Sequence, residues 1–295
     1  MTAEPATATV IASRRSKREV AWRELKKAPI SAWFGMIVIL IYVLCAVFAP
    51  LIAPHGEAEI VSTTGYAQPS LEFPLGTDQL GRDILSRLIY GARNTIGIAL
   101  ITTLLSFFIG GTLGVFAAIM RGWFDLILSR IVDALMSIPV LIFALMLLAV
   151  FGKYVVNLIV ILALLDSTRV FRLTRATAMN VVVMDYVEAA RLRGEGLPWL
   201  MFREIMPNIM APLIAEFGLR FCFVFLTISS LSFLGVGIQP PTADWGSMVA
   251  ENKTLITYGR IVPLVPAGAI ALLTVAVNFV VDWFLHKTSG LRDEH

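Results

Sequence analysis

Few side chains in this sequence could do chemistry, and their spacing narrows what that chemistry is. The three histidines, His55, His286 and His295, are scattered, and no H-E-x-x-H, C-x-x-C or G-x-S-x-G run occurs. No residue is therefore assigned a catalytic, cofactor-binding or metal-ligating role. No G-x-x-x-x-G-K-[ST] is present either, and Gly152-Lys153 lacks the earlier glycine that a phosphate-binding loop needs. What remains are charges set in or beside apolar runs: Asp133, Asp166, Glu216, Arg220 and Asp282. Such groups are costly in lipid and mark function by default. Glu216 and Arg220 stand four apart and can neutralise each other on one helix face. Arg169 follows Asp166 by three residues, and Asp133 follows Arg130 by three. A proton relay needs acids spread across the membrane depth, and these pair locally. The residues point to movement and away from bond chemistry.

The elements that hold these charges are read from hydropathy. The chain is 57% hydrophobic and 15% charged, with mean hydropathy +0.79; soluble domains carry about 25% charged residues. A span needs about 20 apolar residues to cross roughly 30 Å of hydrocarbon. Runs at 33–53, 94–120, 131–151, 209–234 and 261–285 meet or nearly meet that test, and 154–171 becomes a sixth if its helix continues past Asp166. The fold class is an all-α polytopic membrane protein with six transmembrane helices. Strands would show alternating ten-residue segments instead of continuous runs. Cys45 and Cys222 both fall inside expected spans and read as small apolar fillers. Some thirty residues precede the first span, which argues against a cleaved signal.

Basic residues give the orientation. With six crossings and the N-terminus in the cytoplasm, 17 of the 24 Lys and Arg fall on cytoplasmic segments and six on outer ones, with Arg220 inside a span. The positive-inside rule then sets both termini in the cytoplasm. Residues 1–28 are expected as a basic, disordered cytoplasmic stretch, residues 29–285 as the membrane domain and residues 286–295 as a cytoplasmic tail. Seven basic residues before the first span anchor topology beside anionic lipid; nucleic acid is not the expected partner. The net charge of +3 is mostly this anchor.

One loop departs from its surroundings. "DYVEAARLRGEGLPWLMFREIMPN", Asp185 to Asn208, holds four acids, three arginines, two glycines and two prolines. Asp185 to Arg193 favours helix, and Gly194 and Gly196 end it. Pro198 opens a second short helix, Trp199 to Ile205, and Pro207 marks the start of the fifth span. Ala189 and Ala190 offer a surface for close approach, with Glu188, Arg191 and Arg193 at its rim. A docking handle and an ordinary solvated helical loop both satisfy this chemistry.

The order of residues in the loop resembles a known motif. Glu188-Ala189-Ala190, then Gly194, then Pro207 resembles the EAA motif of ABC importer permeases. The usual "I-x-L-P" end reads Glu204-Ile205-Met206-Pro207 here, which moves the hydrophobic position by one. "PLGTDQLGRDILSRLIYGAR" (74–93) and "SFLGVGIQPPTADWGSM" (232–248) resemble signatures of the dipeptide/oligopeptide permease family, C-type subunit. The likeness covers nearly all of 28–281; the tail, "NFVVDWFLHKTSGLRDEH", departs from it.

The resemblance implies a type I ABC importer permease-like fold in a bacterial cytoplasmic (inner) membrane. It implies cytoplasmic coupling helices over 186–205 that dock on an ATPase through Tyr186, Glu188, Ala189, Ala190, Arg191, Gly194, Pro198, Trp199 and Pro207. It also implies outer-loop motif positions at Leu75, Gly76, Thr77, Asp78, Gly81, Arg82, Asp83, Gly235, Gly237, Gln239, Pro240, Pro241, Trp245 and Gly246. The implied partners are a second permease subunit, two cytoplasmic ATPase subunits that carry the ATP and Mg, an extracytoplasmic solute-binding protein and membrane lipid. The solute could be a dipeptide, oligopeptide, glutathione, nickel, an opine or a sugar. A secondary transporter or channel subunit working without a motor is the rival reading.

The outer motifs also have a physical reading. Thr77-Asp78 is a good helix start, so Gln79–Ile89 is expected as an amphipathic interface helix. Its Leu80, Ile84 and Leu88 would face lipid or protein, and Arg82, Asp83 and Arg87 would face water. Gly235, Gly237 and Pro240-Pro241 break the helix after the fifth span, and Trp245 anchors the re-entry at the interface. Gly97, Gly110, Gly111 and Gly114 allow close helix packing in the second span.

Overall fold

A computed structural model of the chain describes residues 28–288. The expected basic N-terminal stretch lies almost wholly outside the described residues, as does the tail beyond 288. Among the described residues there is no β-strand, only two isolated bridges, Ile60 with Arg82 and Thr77 with Asp83.

The helices are α1 (Ile30–Val47), α2 (Ala49–Ile52), α3 (Ile84–Met120), α4 (Gly122–Met136), α5 (Val140–Phe151) and α6 (Val155–Val182). They continue with α7 (Asp185–Leu192), α8 (Leu197–Trp199), α9 (Met206–Phe233), α10 (Trp245–Asn252) and α11 (Leu264–Thr288). A π-helical turn, Leu200–Ile205, joins α8 to α9, and a 3₁₀ segment, Lys253–Tyr258, follows α10. By length and composition α1, α3, the continuous Leu197–Phe233 helix and α11 can cross a membrane.

The other two expected spans take different forms. The run at 131–151 is not one helix: α4 and α5 meet at a bend of 90°. Pro139 has no N–H for an interior helical bond and disfavours helix at Ile138, so the break falls where the sequence demands it. The run at 154–171 is the start of α6, which extends to Val182 and carries Asp166, Arg169, Arg172 and Arg175. These charges remove α6 from the apolar class. Its place in the bundle comes from packing along α3, the most extensive helix pair among the described residues.

That pairing depends on two of the four glycines singled out above. A Cβ on Gly110 would sit 2.4 Å from the Ser167 carbonyl, and one on Gly114 would sit 2.8 Å from Thr174 Cβ. Gly97 and Gly111 have nothing within 4 Å and play no such part. Spaced four apart, Gly110 and Gly114 form one stripe that lets the α3 and α6 backbones approach.

α3 has 37 residues and is about 55 Å long, well beyond the roughly 30 Å of hydrocarbon. Its N-terminal turns meet the 57–83 loop and α10. Its C-terminal turns, at Val115 and Ala118, pack with Val187 and Ala190 of α7. The two motif regions therefore lie at opposite ends of the bundle. Gly110→Ala should lower the melting temperature of the detergent-solubilised protein, equivalent to about 1–3 kcal/mol of overpacking. Gly111→Ala should leave it unchanged or slightly raised.

Candidate functional sites at the two ends of the bundle

The 74–93 segment does not form the expected interface helix. Asp78 closes a tight turn instead: its Oδ1 accepts from the Leu80 N–H at 2.9 Å and the Arg82 N–H at 3.0 Å. Gly81 completes the turn at φ +76°, and a Cβ there would lie 2.0 Å from the Ser62 carbonyl. The helix cap is Asp83, whose side chain accepts from the Leu85 and Ser86 N–H groups, so helix begins at Ile84 and runs straight into the span.

Ile84 and Leu88 pack against protein as expected, but the charged residues do not face water. Arg82, Asp83 and Arg87 are buried, at 4%, 1% and 1% exposure, while Leu80 is exposed. Partners distant in sequence account for this. Arg82 Nε donates to Asp78 Oδ2 at 2.6 Å, and the Arg82 and Arg87 Nη2 groups lie 3.2 and 3.3 Å from Glu251 Oε2. Arg87 Nε stands 3.6 Å from Asp78 Oδ2. Two guanidiniums and two carboxylates thus form a closed network between the loop, the start of α3 and the end of α10. Burial of this kind is tolerated only when every charge is matched.

The 232–248 segment closes over the same helix. α9 ends at Phe233, and Gly235 follows at φ +77°. A Cβ on Gly237 would collide with Ser232 Oγ at 2.1 Å. Gln239 Nε2 donates to the Gly237 carbonyl at 2.9 Å, and Pro240 and Pro241 lie exposed at the tip. Asp244, fully buried, caps α10 by accepting from the Ser247 N–H at 2.8 Å and takes the Thr95 hydroxyl at 2.9 Å. Burial pushes its carboxyl above the ordinary range, and these hydrogen bonds oppose the shift.

Trp245 is not an interface anchor. It is 1% exposed, donates from Nε1 to the Leu88 carbonyl at 2.9 Å, and stands edge-on to Tyr42 and Phe225. Gly91 makes room for it, since a Cβ there would lie 2.6 Å from the indole. Gly246 is equally constrained, 2.2 Å from the Ser229 carbonyl. Of the remaining motif residues, Thr77 accepts the Ala67 N–H at 2.9 Å, Gly76 turns at φ +78°, and Leu75 packs against the main core. Glu57, Asn94, Thr95, Asp244 and Glu251 belong to this cluster and were not picked out from the sequence. Glu57 joins it by accepting from Asn94 Nδ2 at 3.0 Å and the Ala243 N–H at 2.9 Å.

At the opposite end, α7 is the expected short helix, and its termination is as read. The Glu195 N–H donates to the Ala190 carbonyl at 3.2 Å, the Gly194 N–H to the Arg191 carbonyl at 2.9 Å, and Gly194 has φ +81°. This is the left-handed glycine termination that leaves no Cβ penalty. The second short helix is not separate: Leu197 to Phe233 is continuous, with Pro198 in its first turn. The π turn ends just before Met206, so Pro207 enters early in α9, where its missing N–H costs little.

The two alanines point opposite ways. Ala190 is fully buried with Val187 against Leu200, Ile205 and Ala178, whereas Ala189 is exposed. Only Ala189 belongs to an approachable surface, together with Tyr186, Glu188 and Leu192 on α7 and Phe202 beyond the turn. Arg191 stands 3.9 Å from Glu188; Trp199 donates to Glu204 at 3.2 Å and lies under the Arg203 guanidinium.

Among the intramembrane charges, Glu216 and Arg220 pair as expected, with Arg220 Nε 2.7 Å from Glu216 Oε1, though not aligned as a hydrogen bond. Asp166 reaches Arg220 at 3.7 Å and Arg169 at 4.0 Å. Asp133 makes no ion pair with Arg130; it borders a cavity with Arg172 and Arg175, and Arg175 is held bidentately by Asp125. Arg87→Met should destabilise the purified protein by about 3–5 kcal/mol, because it leaves Arg82 alone to balance two carboxylates, Asp78 and Glu251, in a buried network. The exposed Arg93→Met control should change stability by no more than about 0.5 kcal/mol, as read by thermal unfolding.

Comparison with known proteins gives the family. Residues 110–287 match the family described as binding-protein-dependent transport system inner membrane component. Residues 16–69 match the N-terminal transmembrane domain of oligopeptide transport permease C. The di/tripeptide transport system permease protein of Pseudomonas aeruginosa is 37% identical over 88% of this chain and 85% of its own. The dipeptide transport system permease protein of Escherichia coli is 37% identical over 92% of this chain and 90% of its own. The glutathione transport system permease protein of Pectobacterium atrosepticum is 31% identical over 92% and 88%. The chain is an integral membrane protein that belongs to the family of binding-protein-dependent transport system inner membrane components.

Proposed function

We propose that this chain is the permease subunit of an ATP-driven importer for small peptides, one half of a translocation path completed by a second permease. The observation that carries the reading is the α7 surface. A short helix is fixed from behind by buried Val187 and Ala190 and presents Ala189, Tyr186 and Leu192 outward. A solvated loop has no reason to hold apolar side chains out on so rigid a base. An ATPase groove that takes up this helix would displace it along α6 and α9 when nucleotide binds, and rocking of the two permeases would expose a central cavity to each side in turn. The peptide assignment rests on the solutes named for the relatives, all of them peptidic in those cited above.

The charge bias of the sequence supports placing α7 and both termini in the cytoplasm. The 57–93 and 232–258 segments then form the outer face, where a solute-binding protein docks. Their mutual ion network would let a docking event at one loop reach α3 and α9 together, and coupling between that face and nucleotide binding must be reciprocal.

Ala189→Arg tests the reading without touching the core. Affinity purification of the wild-type chain in mild detergent should recover an ATPase and a second permease. The variant should insert normally, retain the second permease, lose the ATPase and lose uptake of labelled dipeptide. An ATPase bound equally well by the variant would refute the role given to α7, and a wild-type chain recovered alone after crosslinking would favour the motor-free transporter.

A further inference from the structure

Asp166 poses a problem that local pairing does not solve. It stands eleven residues into α6, about 17 Å from its start, near the middle of a core roughly 30 Å thick. The residue is 5% exposed. Its Oδ2 takes the Ser106 hydroxyl at 3.1 Å, but its Oδ1 receives no hydrogen bond among the described residues. The two guanidiniums nearest that oxygen stop short, Arg220 at 3.7 Å and Arg169 at 4.0 Å. Arg220 is held by Glu216 at 2.7 Å, and Arg169 is 39% exposed. A carboxylate oxygen in a buried residue with no donor of its own keeps hydrogen-bonding capacity for something outside the chain.

The space it faces is a cavity of about 230 Å³ between α5, α6 and α9, with Asp166 and Arg169 on one side and Phe223 and Thr227 on the other. That is below the roughly 300 Å³ at which ligand pockets begin, so a ligand site here needs a further wall from the second permease. An exposed guanidinium at this depth is costly against lipid, which favours water or a second subunit as the neighbour. The charges decide the ligand. Asp166 and Glu216 against Arg169 and Arg220 sum to zero, so an added net charge would stand unbalanced in low dielectric. A neutral molecule carrying both signs would not.

We propose that Asp166 and Arg169 form a transit site for a small zwitterion. The Oδ1 of Asp166 accepts from the solute's ammonium, and Arg169 swings from its loose 4.0 Å contact to hold the carboxylate. The ligand class rests on the importer reading above; the site's position in an aqueous path does not.

The test is thiol protection on the chain purified with its partners into proteoliposomes, with Cys45→Ala and Cys222→Ala removing the native thiols. Thr227→Cys places a reporter on the cavity wall opposite both charges. A membrane-impermeant methanethiosulfonate reagent should modify it, and L-alanyl-L-alanine should slow that modification while its N-acetylated amide, which carries neither charge, should not. Adding Asp166→Asn should raise the dialanine concentration for half-protection by roughly tenfold or more, the loss of one charge-assisted hydrogen bond. Arg169→Gln, at the exposed rim and so less prone to unfold the chain, should do the same. Absence of modification would place the face against lipid or protein and overturn the proposal. So would modification that dialanine does not slow, or that the blocked amide slows equally. No ATP enters the assay, so its outcome is independent of whether an ATPase is recovered with the chain.

Discussion

Arg87 is 1% exposed near the start of a 37-residue helix, and a guanidinium there is stable only among carboxylates. Asp78 reaches it from a turn nine residues earlier and Glu251 from the end of α10. Much of that end of the bundle follows. The 57–83 loop must fold back to present Asp78, which requires Gly81 at positive φ against Ser62. α10 must lie across α3 to present Glu251, which requires Trp245 to sink into the seat at Gly91. The long N-terminal extension of α3 beyond the hydrocarbon is the rod on which both are assembled.

The opposite end obeys a different constraint. The ion pairs at α7, Arg191 with Glu188 and Arg193 with Glu195 and Glu204, are loose and solvent-exposed; the helix is fixed by buried alkyl groups on one side and by a glycine termination at its end. α3 and α6 connect the two ends, closely packed along the Gly110 and Gly114 stripe. A rigid pair of this kind transmits displacement, because packed backbones in direct contact have no slack to absorb it. In the proposed importer this pair would link the motor to the outer face, and it passes Asp166 on the way.

Hydropathy made the helical class and most span positions legible, because continuous apolar runs of this length have few other solutions. The α4–α5 bend was also written in the sequence, at Pro139, but averaging over a window hides a single residue. The Gly194 termination was readable since it is local. The burial of Arg82 and Arg87 was not. Their alternation with Leu80, Ile84 and Leu88 looks like a water-facing stripe, and only Glu251, some 160 residues away, reverses that reading. The same holds for Ala190, whose inward direction depends on Leu200 and Ile205 across the turn. Spacing gives the period of a helix; which side is buried depends on what folds against it.

The most direct measurement is a photo-crosslinker in place of Tyr186, on the exposed face of α7, activated in native membranes. An ATP-binding polypeptide should be the main adduct, and its yield should change when nucleotide is added. Adducts confined to lipid, or to this chain itself, would contradict a docking role for α7 and with it the motor-driven account.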